Sequence, residues 1–319
     1  MTKKIIVCLS LVALLALGGQ AFAEICAQDN VPAASLLLPY FEVDLDNPGG
    51  VTTLFSINNA SASAALAHVT LWTDESVPTL DFDIYLTGYD VQTINVRDIF
   101  NGTLPRTASD AQDPTDTISP QGDLSQDITF PGCQNLPYTN PALSSVLLTH
   151  IREAHTGGLS PVYGRCAGFD FGDNIARGYI TVDSVNACNL EFPSAPGYFL
   201  TGGTGLANNN NILWGDYFYV NSAENFAQGE TLVHLEACDN PSVGQGGDDC
   251  PFIAGDYTFY GRYVAGTAVD GREPLSTMFA TRYLNGGAFD GGTDLIVWRD
   301  SKTVANTGHS CSGEASWFP

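Results

Sequence analysis

The chain has 319 residues and a formal charge of −23, with 35 acidic residues against 12 basic ones. A field of that sign repels nucleic acid and anionic membranes, which excludes nucleic-acid binding as a function class. Aromatic residues at 11% and an apolar fraction of 44% also exclude a chain without a packed core.

The first segment is Lys3 and Lys4, an apolar run from Ile5 to Leu17, and Ala21-Phe22-Ala23 ahead of Glu24. This is the three-part pattern of a secretory signal peptide over residues 1–23, so the mature protein is expected to be exported to the periplasm, the cell surface or the medium. The apolar run is shorter than the ~20 residues of a spanning helix, and no later stretch replaces it, so no integral membrane segment is expected after signal removal. Past Ala23 ten basic residues face 35 acidic ones, a charge of −25, and Lys302 is the only lysine left. Charged residues are 15% of the chain against ~25% in ordinary domains. The surface must therefore rest on Asn, Ser, Thr and Gly.

Ahead of the first strands, Glu42, Asp44 and Asp46 alternate before the turn Asn47-Pro48-Gly49-Gly50. An extended chain presents them on one side. From Val51 to Phe100 the period is two: Val51, Thr53, Phe55 and Ile57 share a face, as do Ala65, Ala67, Val69 and Leu71. Leu80, Phe82, Ile84 and Leu86 alternate with Asp81, Asp83 and Tyr85, and Ile94 and Val96 close the set. Strict alternation marks half-buried antiparallel strands. From Asn101 to Asn140 periodicity stops, and Asp110, Asp113, Asp116, Asp123 and Asp127 recur in a long acidic loop. Loops of that length are usually functional or mobile. This loop divides residues 24–130, read as an N-terminal sandwich-like domain, from residues 131–319, read as a second mainly-β domain stapled by disulfides.

The second part begins with one amphipathic helix around residues 141–156. Asn140 is its expected cap, Pro141 sits in its first turn and Gly157 stops it. Leu143, Leu147, Ile151 and Ala154 form its apolar stripe. Strand signals resume at 179–185, 212–220, 231–237, 257–264 and 295–298. The fold class is mainly β: an antiparallel β-sandwich architecture, one large or two smaller, with this one helix.

Seven cysteines remain after the signal: Cys26, Cys133, Cys166, Cys188, Cys238, Cys250 and Cys311. In an oxidising compartment they are expected to pair. Cys238 with Cys250 is the first expectation, because they bracket a polar, Gly-rich loop; Cys166 with Cys188 is the second. An odd count leaves one thiol free or joined to another molecule.

No intact catalytic motif stands out. His150, Glu153 and His155 fall near the H-x-x-E-H zinc pattern, but the second histidine is one residue too far; they read as solvated residues at a helix end. Gly308-His309-Ser310-Cys311-Ser312-Gly313 has Ser312 where a G-x-S-x-G elbow needs glycine, so Cys311 is expected to staple the tail instead. His68 and His234 lie in strands, where a satisfied structural histidine is the default. The candidate metal residues are carboxylates: Glu42, Asp44 and Asp46, Asp170 and Asp173, and Asp290 and Asp294. Acidic Gly/Asn loops supply the oxygens calcium wants, so calcium is the one candidate cofactor. Trp72, Trp214 and Trp298 lie in strands beside tyrosines and are candidates for stacking on sugars, although strand aromatics are more often core.

These readings favour a secreted or cell-surface protein that is not an enzyme and acts in assembly or adhesion, stabilised by calcium, with another copy of itself or a surface glycan as partner. A carbohydrate-binding module is the second expectation. The third is a secreted hydrolase whose paired carboxylates cannot be singled out among thirty-five acids.

Overall fold

The computed structural model describes residues 31–107, 130–133, 142–238, 258–261 and 270–273, together with isolated positions up to Cys311. The signal segment, the acidic loop and most of the chain after residue 273 lie outside this set. Among the described residues no helix is long and apolar enough to cross a membrane.

The period-two stretches fold as expected. Five strands come first: β1 (Ser35–Asp44), β2 (Val51–Asn59), β3 (Ala65–Thr73), β4 (Pro78–Leu86) and β5 (Val91–Asn95). Two helices follow, α1 (Val96–Phe100) and α2 (Ser145–His155). The second run of strands is β6 (Ile175–Ser184), β7 (Leu213–Trp214), β8 (Asp216–Asn221), β9 (Phe226–Thr231) and β10 (Val233–Leu235). Two antiparallel sheets result. The first has the order β10-β1-β6-β3-β4; the second has β5-β2-β8-β9, with β7 also pairing β2. Their facing sides enclose one continuous apolar core. Leu36, Leu38, Phe41, Val69, Phe82, Ile84, Ile180 and Val182 of the first sheet meet Phe55, Ile57 and Ile94 of the second. The molecule is an antiparallel β-sandwich, as the alternation requires.

Each sheet takes strands from both sides of residue 130: β6 lies between β1 and β3, and β8 lies beside β2. The division expected after residue 130 therefore does not separate the sheets.

Three local readings change. Val96 does not extend a strand, because Asn95 caps a helix there: its side-chain oxygen accepts the Arg97 N–H at 3.0 Å and the Thr52 hydroxyl at 2.8 Å. Replacing Asn95 with Ala is expected to cost about 1 kcal/mol, read as a lower urea midpoint with an unchanged slope. The longer helix starts later than expected. Ser144, not Asn140, caps it, its hydroxyl accepting the Leu147 N–H at 3.2 Å. It ends before Gly157, whose φ of +80° suits glycine and whose added Cβ would meet the Asp170 backbone N at 2.4 Å.

The third change is that β3 is buried on both faces, not half-buried. Leu66, His68, Thr70 and Trp72 look away from the sandwich core, yet residues around Tyr198, Phe199, Phe259 and Tyr260 cover that side.

The disulfides also differ. Cys133 bonds Cys188, and Cys166 bonds Cys311, so the expected Cys166–Cys188 bridge is wrong. Cys166 precedes β6 and Cys188 follows it, and ten residues of extended chain carry the two ends roughly 30 Å apart. Cys188 instead lies beside Pro131, whose carbonyl accepts its N–H at 2.9 Å. Cys311 staples the tail, as expected. Cys238 is also disulfide-bonded, whereas its expected partner Cys250 lies outside the described residues.

Candidate functional site

The two sheets treat their edges differently. In the first sheet, β4 is closed by Thr107, whose hydroxyl donates to the Tyr85 carbonyl at 2.8 Å and also receives the Tyr85 N–H. Just past β10, Ala237 bridges to Arg272. Among the described residues, β9 is the last strand of the second sheet and pairs only with β8. Five of its six residues, Phe226 to Glu230, are exposed. Strand β9 thus presents both faces to solvent while β8 is half-buried, and two large apolar side chains lie on the hairpin, Phe218 at 47% and Phe226 at 49% exposure. An edge strand offers a row of unpaired N–H and C=O groups, which is a template for another strand.

The predicted carboxylates are drawn together by the β1–β6 pairing, which sets Glu42 opposite Arg177 and Asp44 opposite Ile175. Asp173 takes two hydrogen bonds from Arg177, at 2.7 and 2.8 Å, and Glu42 lies 3.5 Å from the same guanidinium. The guanidinium holds Asp173 below the ordinary carboxylate range. Glu42 also accepts from the Tyr40 hydroxyl at 2.5 Å, and Asp46 from the Asn174 amide at 2.6 Å. Asp44 accepts the N–H groups of Asp46 and Asn47, and Asp170 that of Gly172. So Glu42 and Asp173, far apart in sequence, share Arg177, and Asp46 joins the same surface through Asn174. Among the described residues no three His, Cys, Asp or Glu side chains group as a metal set. Asp290 and Asp294 lie outside the described residues.

Of the tryptophans, Trp72 is 1% exposed, stacks on Tyr179 at 5.7 Å and donates its indole N–H to Thr181 at 2.8 Å. It belongs to the core and offers no face to a sugar. Trp214 is half-buried with its ring against His234. Trp298 lies outside the described residues.

The helix histidines are not solvated. His150 is 1% and His155 3% exposed. His155 donates from Nδ1 to the Arg177 carbonyl and accepts from the Thr79 hydroxyl at Nε2, both at 2.7 Å. His150 donates from Nε2 to the Thr79 carbonyl at 3.1 Å and accepts from the Ser160 hydroxyl at 2.7 Å. With Ser144 as cap, the buried face of α2 is His150, Ile151, Ala154 and His155, which turns both imidazoles onto the sandwich. His234 is satisfied, bonding the Val31 carbonyl and the Gly215 N–H.

A second assembly of polar groups was not evident from the chain. On the outer side of the first sheet one row runs Ser35, Asp183, His68, Asp83, each opposite the next across β1, β6, β3 and β4. All four are buried. Asp183 accepts the hydroxyls of Ser35, Tyr198 (3.0 Å) and Tyr260 (2.9 Å). Fully buried Arg272 donates to Ser35, Asn209 and the carbonyls of Asn208 and Asp270. Its Nε lies 3.9 Å from Asp183. Burial pushes Asp81 and Asp270 up to about 6. Burial opposes charge on His68 too, but Asp83, Asp81 and Asp183 outweigh it and raise His68 above its ordinary value. The only trace of this layer in the sequence is a charged residue inside each of three apolar strands: His68, Asp83 and Asp183.

No protein-family model, no curated protein and no solved structure is similar to the chain.

Proposed function

We propose that this is an exported, non-enzymatic protein that assembles with a second copy of itself by adding strand to strand at β9. The observation that supports the reading is that β9 ends the second sheet with its outer edge unpaired among the described residues, next to the exposed rings of Phe218 and Phe226. The sequence of β9, Phe226-Ala227-Gln228-Gly229-Glu230-Thr231, suits a two-fold antiparallel pair. Centred between Gln228 and Gly229, such a pair sets Glu230 of one copy opposite Ala227 of the other, so the one charged residue of the strand never meets its own kind. Main-chain hydrogen bonds supply the affinity, as in other strand-addition contacts. The large negative charge opposes association at low ionic strength, and salt screens it. Calcium, if it contributes, would act on the surface carboxylates Glu42, Asp46 and Asp173, where it would have to compete with Arg177.

The test is solution mass by light scattering at low and physiological salt, with calcium and with EDTA, on the unaltered chain and two variants. Ala227→Glu places a carboxylate opposite Glu230 and is expected to return the protein to monomer. Ala227→Lys creates an opposite-charge pair and is expected to strengthen association. A monomer under every condition, or an oligomer indifferent to both substitutions, would overturn the proposal. The carbohydrate-binding alternative has lost Trp72 as a platform, and glycan-array binding abolished by Trp214→Ala would restore it.

A further inference from the structure

We infer that His68 Nε2 and Asp81 Oδ2, with Thr70 Oγ1 beside them, form a site for a single divalent transition-metal ion, for which zinc is the probe. The site is independent of the β9 edge and follows from how β3 and β4 pair. Their register sets Asp83 opposite His68 and Asp81 opposite Thr70, all on the side away from the sandwich core. Asp83 Oδ1 lies 2.8 Å from His68 Nδ1, and the other oxygen of Asp83 accepts the Asn189 N–H at 2.8 Å. A proton on Nδ1 is therefore held between the ring and a fixed carboxylate, and the Nε2 lone pair faces the other way. This carboxylate–imidazole pairing is what orients a metal-binding histidine.

In front of Nε2 lies Asp81 Oδ2, at 3.7 Å. His68 Nε2, Asp81 Oδ2 and Thr70 Oγ1 are all buried and none has a hydrogen-bond partner. A buried polar atom left unpaired costs about 1–3 kcal/mol, so Nε2 and Oδ2, 3.7 Å apart, with Thr70 opposite Asp81 in the register, call for a shared partner. A proton does not serve. An N–H on Nε2 would sit 3.7 Å from its acceptor, beyond the range of N–H···O bonds, and without it two lone pairs face each other. A cation with bonds of ~2.1 Å to both atoms closes the gap at an angle of about 120°, within the range of zinc sites. The charges agree: the carboxylates of Asp83 and Asp81 lie 2.8 and 3.7 Å from the two ring nitrogens, while Arg272 is committed to the Ser35 and Asp270 side of the layer. Asp81 keeps 11% of its side chain exposed, which gives the ion a route in and leaves room for water to complete its coordination. With only two strong protein donors, affinity should be lower than at a structural site with four.

The test is calorimetric titration of zinc chloride into the full oxidised chain after chelator treatment and dialysis. One saturating site per chain is expected. Asp81→Asn should abolish it, and Asp83→Asn, which loosens the histidine, should weaken it about 10–100-fold. Asp173→Asn on the surface should leave it unchanged, which separates the site from loose binding to an acidic protein. Cobalt(II) offers a readout that needs no variant: it should broaden the His68 ring signals in NMR ahead of those of His150, His155 and His234. No saturable binding, broadening that spares His68, or binding untouched by Asp81→Asn would overturn the inference and leave a bridging water as the partner of the three atoms.

Discussion

Replacing Arg272 with Met is expected to destabilise the protein by about 3–5 kcal/mol, the cost of removing one partner from a buried charge pair. Against a typical total of about 5–15 kcal/mol, this is the difference between a folded and a marginal protein. Arg272 is fully buried. Its loss strips Asp183 of the one fixed cation near it among the described residues and leaves the carbonyls of Asn208 and Asp270 each short of a donor. It also removes a guanidinium lying 5.1 Å above the ring of Phe199, a contact that Met replaces only in its apolar part. The check is urea unfolding of both proteins, with the double variant Arg272→Met/Asp183→Asn as the decisive comparison. If the penalty comes from an uncompensated carboxylate, neutralising Asp183 should recover part of it, with a coupling of about 0.5–3 kcal/mol. Strict additivity would show instead that Arg272 acts through packing alone. Because Arg272 bonds Ser35 on β1, 237 residues away, the loss should appear as a lower midpoint of the whole transition and not as local fraying.

Why was the sandwich legible in the sequence, and this polar layer not? Leu80, Phe82, Ile84 and Leu86 announce a strand because the side-chain period of a strand is two and needs only local information. The same pattern places Asp81 and Asp83 on the opposite face, and there the reading fails. Alternation says which residues share a side, but not whether that side meets water. The cover over it comes from Tyr198, Phe199, Phe259 and Tyr260, more than a hundred residues from β3 and β4, and the strand expected at 257–264 is a turn at residues 259–261. The insertion of β6 between β1 and β3 and the pairing of Cys166 with Cys311 are long-range in the same sense. For the helix, the stripe through Ile151 and Ala154 was sound. The cap lay at Ser144, however, and His150 and His155 turned inward because each found donors and acceptors on the sandwich. The carboxylates of 42–46 and 170–174 looked like separate loops, and only the β1–β6 register makes them neighbours around Arg177.

The inward turn of His155 has a pH consequence. Burial among Phe41 and Phe100 pushes its pKa down to about 4, with the nearby His150 acting in the same direction. The unfolded value is about 6.5. Between these two values the unfolded chain binds a proton that the folded one refuses, so stability falls as pH drops through this window. The stability is intact above 6.5 and the loss is complete below 4. A gap of this size corresponds to about 3 kcal/mol at 1.36 kcal/mol per unit. His150, also lowered by burial, adds to the loss. Asp81 and Asp270 work the other way. Burial raises each to about 6, so their contribution is full below the unfolded carboxylate range and is lost as pH rises through 6. The net profile of the unaltered protein therefore mixes opposite slopes, and the comparison that isolates His155 is with His155→Gln, which keeps a donor and an acceptor but does not titrate. At pH 7 the variant should be the less stable of the two. By pH 4 the unaltered protein should have lost about 3 kcal/mol more than the variant, measured as the difference between their urea unfolding free energies. Parallel profiles between pH 7 and 4 would mean that α2 opens enough to admit a proton, and that the helix does not hold its histidine against the sandwich through that range.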